Sequence, residues 1–290
     1  NAADWVTTLG GIASAVAQEK GIAAPQGATA ASDAAQAIAR SLLGGDRKAV
    51  LLGNGAAHHP QATQLLALAH WIAENTGATV GYLTEAANTV GAQFAGTYPV
   101  NGGLNAAQML SGGLKAVVLL NTEPVYDSAA GTKAAAALAG AEMVVTLSPF
   151  KANMEFSDVL LPIAPFTETS GSFVNAEGRL QSFHAVVRPL GETRPAWKVL
   201  RVLANLLGVP GFDFETSQDV VARATNAPAG SVTQLPAAQL SNAVKTVSAA
   251  AAVVGEPVVA SIYQLDGLVR RSTSLQLTAD ARMAREGVAA

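Results

Sequence analysis

Lys48-Ala-Val-Leu-Leu-Gly-Asn54 and Lys115-Ala-Val-Val-Leu-Leu-Asn121 decide the fold of this chain. Each is a short apolar run bounded by polar or turn-forming residues. That is the pattern of a parallel strand covered on both faces. The two stretches match at five of seven positions, as a duplicated βαβ half would, or as two buried parallel strands would by shared composition alone. Further strands are expected over 79–83, 142–147 and 159–161. Helical patterns separate them: Leu65, Leu68, Ala69 and Ile72 form one buried stripe, and an Ala-rich helix ends at Gly140. Strands alternating with helices imply a doubly wound, mainly parallel Rossmann-like α/β sheet with right-handed crossovers.

Two helices precede the first strand. One carries Trp5, Leu9, Ile12 and Val16 on one face and ends near Gly21. The next is capped by Ser32, with Ala35, Ile38, Ala39, Leu42 and Leu43 inward. After these strands a strand-like stretch is expected over 179–187, and then a helix over 195–207 places Trp197, Leu200, Leu203 and Leu207 inward. A short helix is expected over 151–156, others over 212–224 and 236–251, and an amphipathic one over 263–271 with an Asp266–Arg270 pair. The α/β domain is expected to span 1–210, and a helical, partly irregular appendage 211–290.

Composition excludes several functions. There is no cysteine, so disulfides, thiolate metal sites and a cysteine nucleophile are impossible. A net charge of −3 with scattered Lys and Arg argues against nucleic acid. No apolar run approaches the roughly 18–20 residues that span a bilayer, and no signal peptide is expected.

Four places can carry function. Gly53-Asn54-Gly55-Ala-Ala-His58 has the strand–loop–helix context of a dinucleotide loop, but His58 replaces its third glycine. Only Thr84-Glu85 follows the second strand as a substitute ribose ligand; a tight βα turn is the simpler reading. His58 and His59 are adjacent, so they suit helix N-terminal hydrogen bonding better than one metal ion. After the third strand come Asn121-Thr-Glu123-Pro-Val-Tyr-Asp127. There Glu123 is placed to bind a ribose hydroxyl, or Pro124 stiffens a turn whose Asp127 caps the next helix. Last is the polar stretch 168–181, Glu-Thr-Ser-Gly-Ser-Phe-Val-Asn-Ala-Glu-Gly-Arg-Leu-Gln. Its glycines, carboxylates, amide and guanidinium suit a ligand loop, or a clasp held by Arg179–carboxylate contacts. Ser170, Ser172 and His184 lack the spacing of a catalytic triad. No catalytic or metal residue is assigned.

The stretch Ser157-Asp-Val-Leu-Leu-Pro162 followed by Glu168, Gly171, Asn175, Glu177, Gly178, Arg179 and Gln181 resembles the C-terminal signature of the molybdopterin oxidoreductase superfamily. Within it, Leu52-Gly-Asn54 with His59-Pro60, Gly81-Tyr-Leu83 with 87–92, and Asp266-Gly-Leu-Val-Arg-Arg271 with Leu275-Gln276 resemble the C-terminal part of the large peripheral-arm subunit of NADH-quinone oxidoreductase (NADH dehydrogenase I). That enzyme is bacterial respiratory complex I, which carries electrons from NADH to quinone. The resemblance runs from about 48 to 276. It implies a cofactor-free structural domain, with iron–sulfur clusters in a preceding region. Gly53, Asn54, Gly55, Asn121, Glu123, Glu168, Gly171, Asn175 and Arg179 would be relics of a pterin-dinucleotide site. Other peripheral-arm subunits would be the partners, on the cytoplasmic, peripheral face of the bacterial inner membrane, without membrane insertion. The rival implication is a molybdopterin-guanine-dinucleotide-binding domain of an active molybdenum enzyme such as a formate dehydrogenase. A free-standing regulatory nucleotide binder is a third.

Overall fold

The computed structural model describes residues 2–236 and 261–285. The expected helix over 236–251 lies almost wholly outside them. The chain is a mixed α/β protein whose parallel strands are flanked by helices. It divides into two compact units. The first runs to Val90 and includes Ala176–Gly178. The second holds Gly91–Asn175, Arg179–Leu235 and the described residues from Ser261 on.

The first unit opens with helices α1 (Trp5–Lys20) and α2 (Asp33–Gly44). Gly21 ends α1 in the left-handed conformation, and Ser32 caps α2 by accepting from the Ala35 N–H at 3.2 Å. Strand β1 (Ala49–Leu52), the one-turn α3 (Asn54–Ala57), α4 (Ala62–Thr76) and β2 (Thr79–Tyr82) complete it. The strands pair in parallel with Ala49 opposite Thr79. Ile12, Ala13, Ala15, Val16, Ala35, Ala39, Leu68 and Ile72 form one core cluster, and Leu52, Ala56, Leu65 and Ala69 another. Fully burying a leucine or isoleucine such as Leu65, Leu68 or Ile72 contributes about 1.5–3 kcal/mol. Ile38, expected inward, is exposed, because the small Ala35 and Ala39 make the close contact instead.

In the second unit, α5 (Thr89–Phe94), at the unit boundary, and α6 (Ala106–Met109) lead to β3 (Ala116–Leu120). Then come α7 (Pro124–Asp127), α8 (Thr132–Ala139), β4 (Met143–Ser148) and β5 (Val159–Pro162). These strands form a parallel sheet ordered β3-β4-β5. Leu119, Leu138, Val144 and Phe156 make its core. A hairpin of β6 (Gly171–Val174) and β7 (Leu180–Phe183) follows, then α9 (Ala196–Leu206) and α10 (Ser217–Thr225). The described tail holds α11 (Ile262–Leu265), α12 (Thr273–Gln276) and α13 (Ala279–Arg285).

Several expectations change. The expected Rossmann-like α/β class with parallel strands holds, but those strands lie in a two-stranded and a three-stranded sheet. Leu51 on β1 and Val118 on β3 are 55% and 52% exposed, so neither strand is covered on both faces. Residues 151–156 form a bend and turn instead, opened by Asn153 at φ 58, whose carbonyl accepts from the Phe156 and Ser157 N–H groups. On α9 only Ala204 is buried, and Leu207 points outward. The helix expected over 263–271 is broken: α11 stops at Leu265, and a 3-10 turn covers Val269–Arg271. Asp266 causes the break. Its Oδ1 accepts from the Leu268 and Val269 N–H groups at 2.9 and 2.8 Å, a local turn that competes with helix.

Candidate functional site

Among the described residues, four charged side chains meet around the segment that follows β3. Asn121 enters it at φ 50, the left-handed region that asparagine tolerates better than most residues. Its N–H donates to the Leu147 carbonyl at 2.8 Å, prolonging the β3–β4 ladder. Glu123 comes next, followed by the buried Pro124 at the start of α7. Asp127 turns back on its own helix: its Oδ2 accepts from the Glu123 N–H at 2.7 Å. The expected cap on the next helix is therefore absent; the N-cap of α8 is Gly131, which offers no side-chain cap. Buried Asn153 braces the loop, its Nδ2 donating to the Thr122 carbonyl at 3.0 Å and to Thr146 Oγ1 at 3.3 Å.

Two tail arginines close on this loop. Arg270 reaches Glu123 at 2.8 Å and Asp127 at 2.9 Å, and Arg271 reaches the same Glu123 oxygen at 2.7 Å. The side chains of Glu123 and Arg270 are only 12% and 10% exposed, so the pair is desolvated rather than superficial. Each guanidinium also stacks on a ring, Arg270 on Tyr126 at 4.9 Å and Arg271 on Phe150 at 4.1 Å. Burial alone would lower the pKa of Arg270. The hydrogen bonds and charges of Glu123 and Asp127 outweigh it, and the pKa stands above the ordinary arginine value. The i,i+4 pair expected between Asp266 and Arg270 is replaced by these longer-range contacts. A cavity of about 370 Å³ borders the cluster, lined by Glu123, Tyr126, Tyr263, Arg270, Arg271 and Gln276 among others.

In the first unit, Gly53 stands in extended backbone at the start of α3, and the Asn54 carbonyl accepts from the His58 N–H. A Cβ on Gly55 would lie 2.6 Å from the Trp5 ring. The space that this glycine leaves is therefore filled by an indole. His58 bonds Glu85 at 2.8 Å. His59 instead faces the Ala2 carbonyl through Nε2, and its Nδ1 accepts from the Gln61 N–H at the start of α4. The two histidines serve different partners.

Strand β7 falls within the strand-like stretch expected over 179–187, and it pairs with β6, which forms where a loop was expected. Asn175 Oδ1 accepts from the Arg179 N–H at 2.9 Å, and the Asn175 N–H donates to the Arg179 carbonyl at 3.1 Å. Gly178, at φ 82, makes the turn. Arg179 holds the hairpin through these backbone contacts, where carboxylate contacts had been expected. Glu168 Oε2 accepts from the Leu190 N–H at 2.9 Å. Gly171 is required by packing, since a Cβ there would lie 2.7 Å from the Phe183 ring.

The structure thus gathers Asn121, Glu123 and Asp127 in one loop, while Glu168, Gly171, Asn175 and Arg179 serve the hairpin and its flank. Sequence reasoning missed Arg270, Arg271, Tyr126, Phe150 and Asn153 as members of the charged site. The adjacent arginines in an otherwise weakly charged chain were the one available signal.

A family model described as molybdopterin oxidoreductase matches residues 18–206, the larger part of the chain. The chain is also similar to "Probable oxidoreductase YjgC" of Bacillus subtilis (strain 168), at 41% identity over 70 residues, 24% of this chain and 7% of that protein. It is 40% identical over 80 residues to "Putative formate dehydrogenase SAB2186c" of Staphylococcus aureus (strain bovine RF122 / ET3-1), 26% of this chain and 8% of that protein. The matched stretch spans less than a tenth of either relative.

Proposed function

The chain belongs to the molybdopterin oxidoreductase family, and from that premise we propose that it is a cofactor-free structural domain of the large peripheral-arm subunit of a respiratory NADH:quinone oxidoreductase. The observation that carries this reading is the state of Glu123. The carboxylate best placed to receive a ribose hydroxyl is nearly buried and bound by two guanidiniums of its own chain. The other candidate groups are also taken: Trp5 covers Gly55, and Glu85 is paired with His58. A pterin dinucleotide needs open backbone at the glycine loop and cations around its pyrophosphate. The residues present do not fit it. The arginines nearest the third-strand loop are spent on carboxylates.

Within that subunit the domain would pack against cluster-bearing domains and neighbouring peripheral-arm subunits. The assembly would lie on the cytoplasmic face of the bacterial inner membrane. No described helix is long and apolar enough to cross a membrane, which is compatible with that place. Arg270 and Arg271, the arginines that close on Glu123, belong to the tail stretch that resembles the large peripheral-arm subunit.

The test is to purify the full-length parent protein and assay an oxidised extract for pterin fluorescence, with molybdenum by elemental analysis. A cofactor-free domain gives neither signal, and the protein co-purifies with peripheral-arm subunits. A stoichiometric pterin and molybdenum signal overturns the proposal. It would favour the second reading, a molybdopterin-guanine-dinucleotide-binding domain of a formate dehydrogenase-like enzyme, which the name of the Staphylococcus aureus relative supports. That reading requires the arginine pair to leave Glu123.

A further inference from the structure

We infer that residues 261–276 act as a latch, an internal ligand that docks its guanidiniums in the acidic loop 121–127 and bars other hydrogen-bond donors from it. The inference uses the pairing just described but holds whichever parent enzyme the domain serves.

The segment is organised by its own hydrogen bonds. Ser261 Oγ accepts from the Tyr263 N–H, and Asp266 turns the chain. Gln276 Nε2 donates to the Tyr263 and Val269 carbonyls, both at 2.9 Å. Arg270 is the hub. Its Nη1 donates to the Gln264 and Leu265 carbonyls at 2.9 and 3.0 Å, while the same guanidinium grips Glu123 and Asp127. Removing the guanidinium therefore loosens both the segment and its attachment.

Apolar burial contributes little to this docking. No residue from 261 to 276 is buried. Ile262 and Leu268 are 63% and 57% exposed. A segment held by few apolar contacts opens at low free-energy cost unless something specific holds it. Here that is two charge-assisted contacts on Glu123, one on Asp127, and a ring beneath each arginine. The latch closes over both carboxylates of the loop, so another donor group reaches Glu123 only when the latch is open.

Hydrogen exchange of the whole chain, read by mass spectrometry, tests this. Arg270→Glu places a third carboxylate against Glu123 and Asp127. Exchange across 261–276 should then rise by about tenfold or more, while β3, β4 and β5 exchange as before. Arg270→Lys keeps the charge but loses the fork that grips both carboxylates, so it should give a smaller rise of roughly threefold. It also keeps the test open if Arg270→Glu does not fold. Unchanged exchange across 261–276 in either variant overturns the latch. So does an equal rise in β3–β5, which would make the arginine part of the global core. Neither result bears on the pterin assay, so this inference and the proposed function fail separately.

Discussion

The loops after β1 and β3 start from nearly the same strand sequence and end with opposite chemistry. After β1, Gly53-Asn54-Gly55 is closed by a neutral ring, Trp5, and its hydrogen-bonded pair is exposed: His58 and Glu85 side chains are 58% and 47% accessible. After β3, the loop is acidic and closed by cations, with Glu123 and Arg270 nearly buried. A strand's apolar run dictates where a turn falls. What occupies the turn depends on residues elsewhere in the chain, and the strength of a charge pair depends on how much water it has lost.

Breaking the buried pair should have the largest effect. Glu123→Ala leaves two guanidiniums without their shared partner and should cost the docked segment about 3–5 kcal/mol, seen as a shift in hydrogen exchange confined to 261–276. A shift no larger than that of an exposed-pair mutant would erase the distinction between the loops. Next comes the neutral closure. Gly55→Val drives a side chain into the Trp5 ring and should cost about 1–3 kcal/mol, with a change in tryptophan fluorescence. Combining it with Trp5→Ala should recover part of that loss. If the double variant recovers nothing, the ring is not what closes the loop. Smaller still is His58→Ala: an exposed pair is worth about 0–1 kcal/mol, and the thermal midpoint should barely move.

The smallest expected effect is a flat pH response. The Arg270 pKa is raised in the folded state, so its contribution is complete below the unfolded-state value and is lost only as pH rises through the folded one. Between about pH 7 and 9, well below any arginine pKa, exchange across 261–276, corrected for the intrinsic base-catalysed rate, should stay constant. A progressive loss of protection over that range would mean that a group other than the guanidinium holds the segment.

Much of the first unit was legible in the sequence. Ser32 and Gly21 are local signals, and a cap or a left-handed stop depends on a few neighbouring atoms. The stripe Leu65, Leu68, Ala69 and Ile72 was equally readable, because helical period reports burial directly. Of the hairpin, β7 was readable within 179–187, but its partner β6 was not. Residues 168–178 are rich in turn-forming groups throughout, and only the packing of Phe183 over Gly171 shows which part is strand. The role of Asp266 was misread for a related reason: at i,i+4 it matches Arg270 on paper, yet a nearer bond to two backbone N–H groups takes it out of the helix.

By itself the sequence determined the alternation of strands and helices, the position of each strand-end loop, and the exclusion of every thiolate chemistry. Those properties follow from residue type and short-range spacing. Tertiary structure alone decided that Asp127, with Glu123 beside it, meets an arginine 143 residues further along the chain. It also decided that Trp5 fills the space above Gly55, and that one pair is buried while the other is exposed. Partners distant in sequence leave no periodic trace, and desolvation becomes readable only once the chain has folded around the charge.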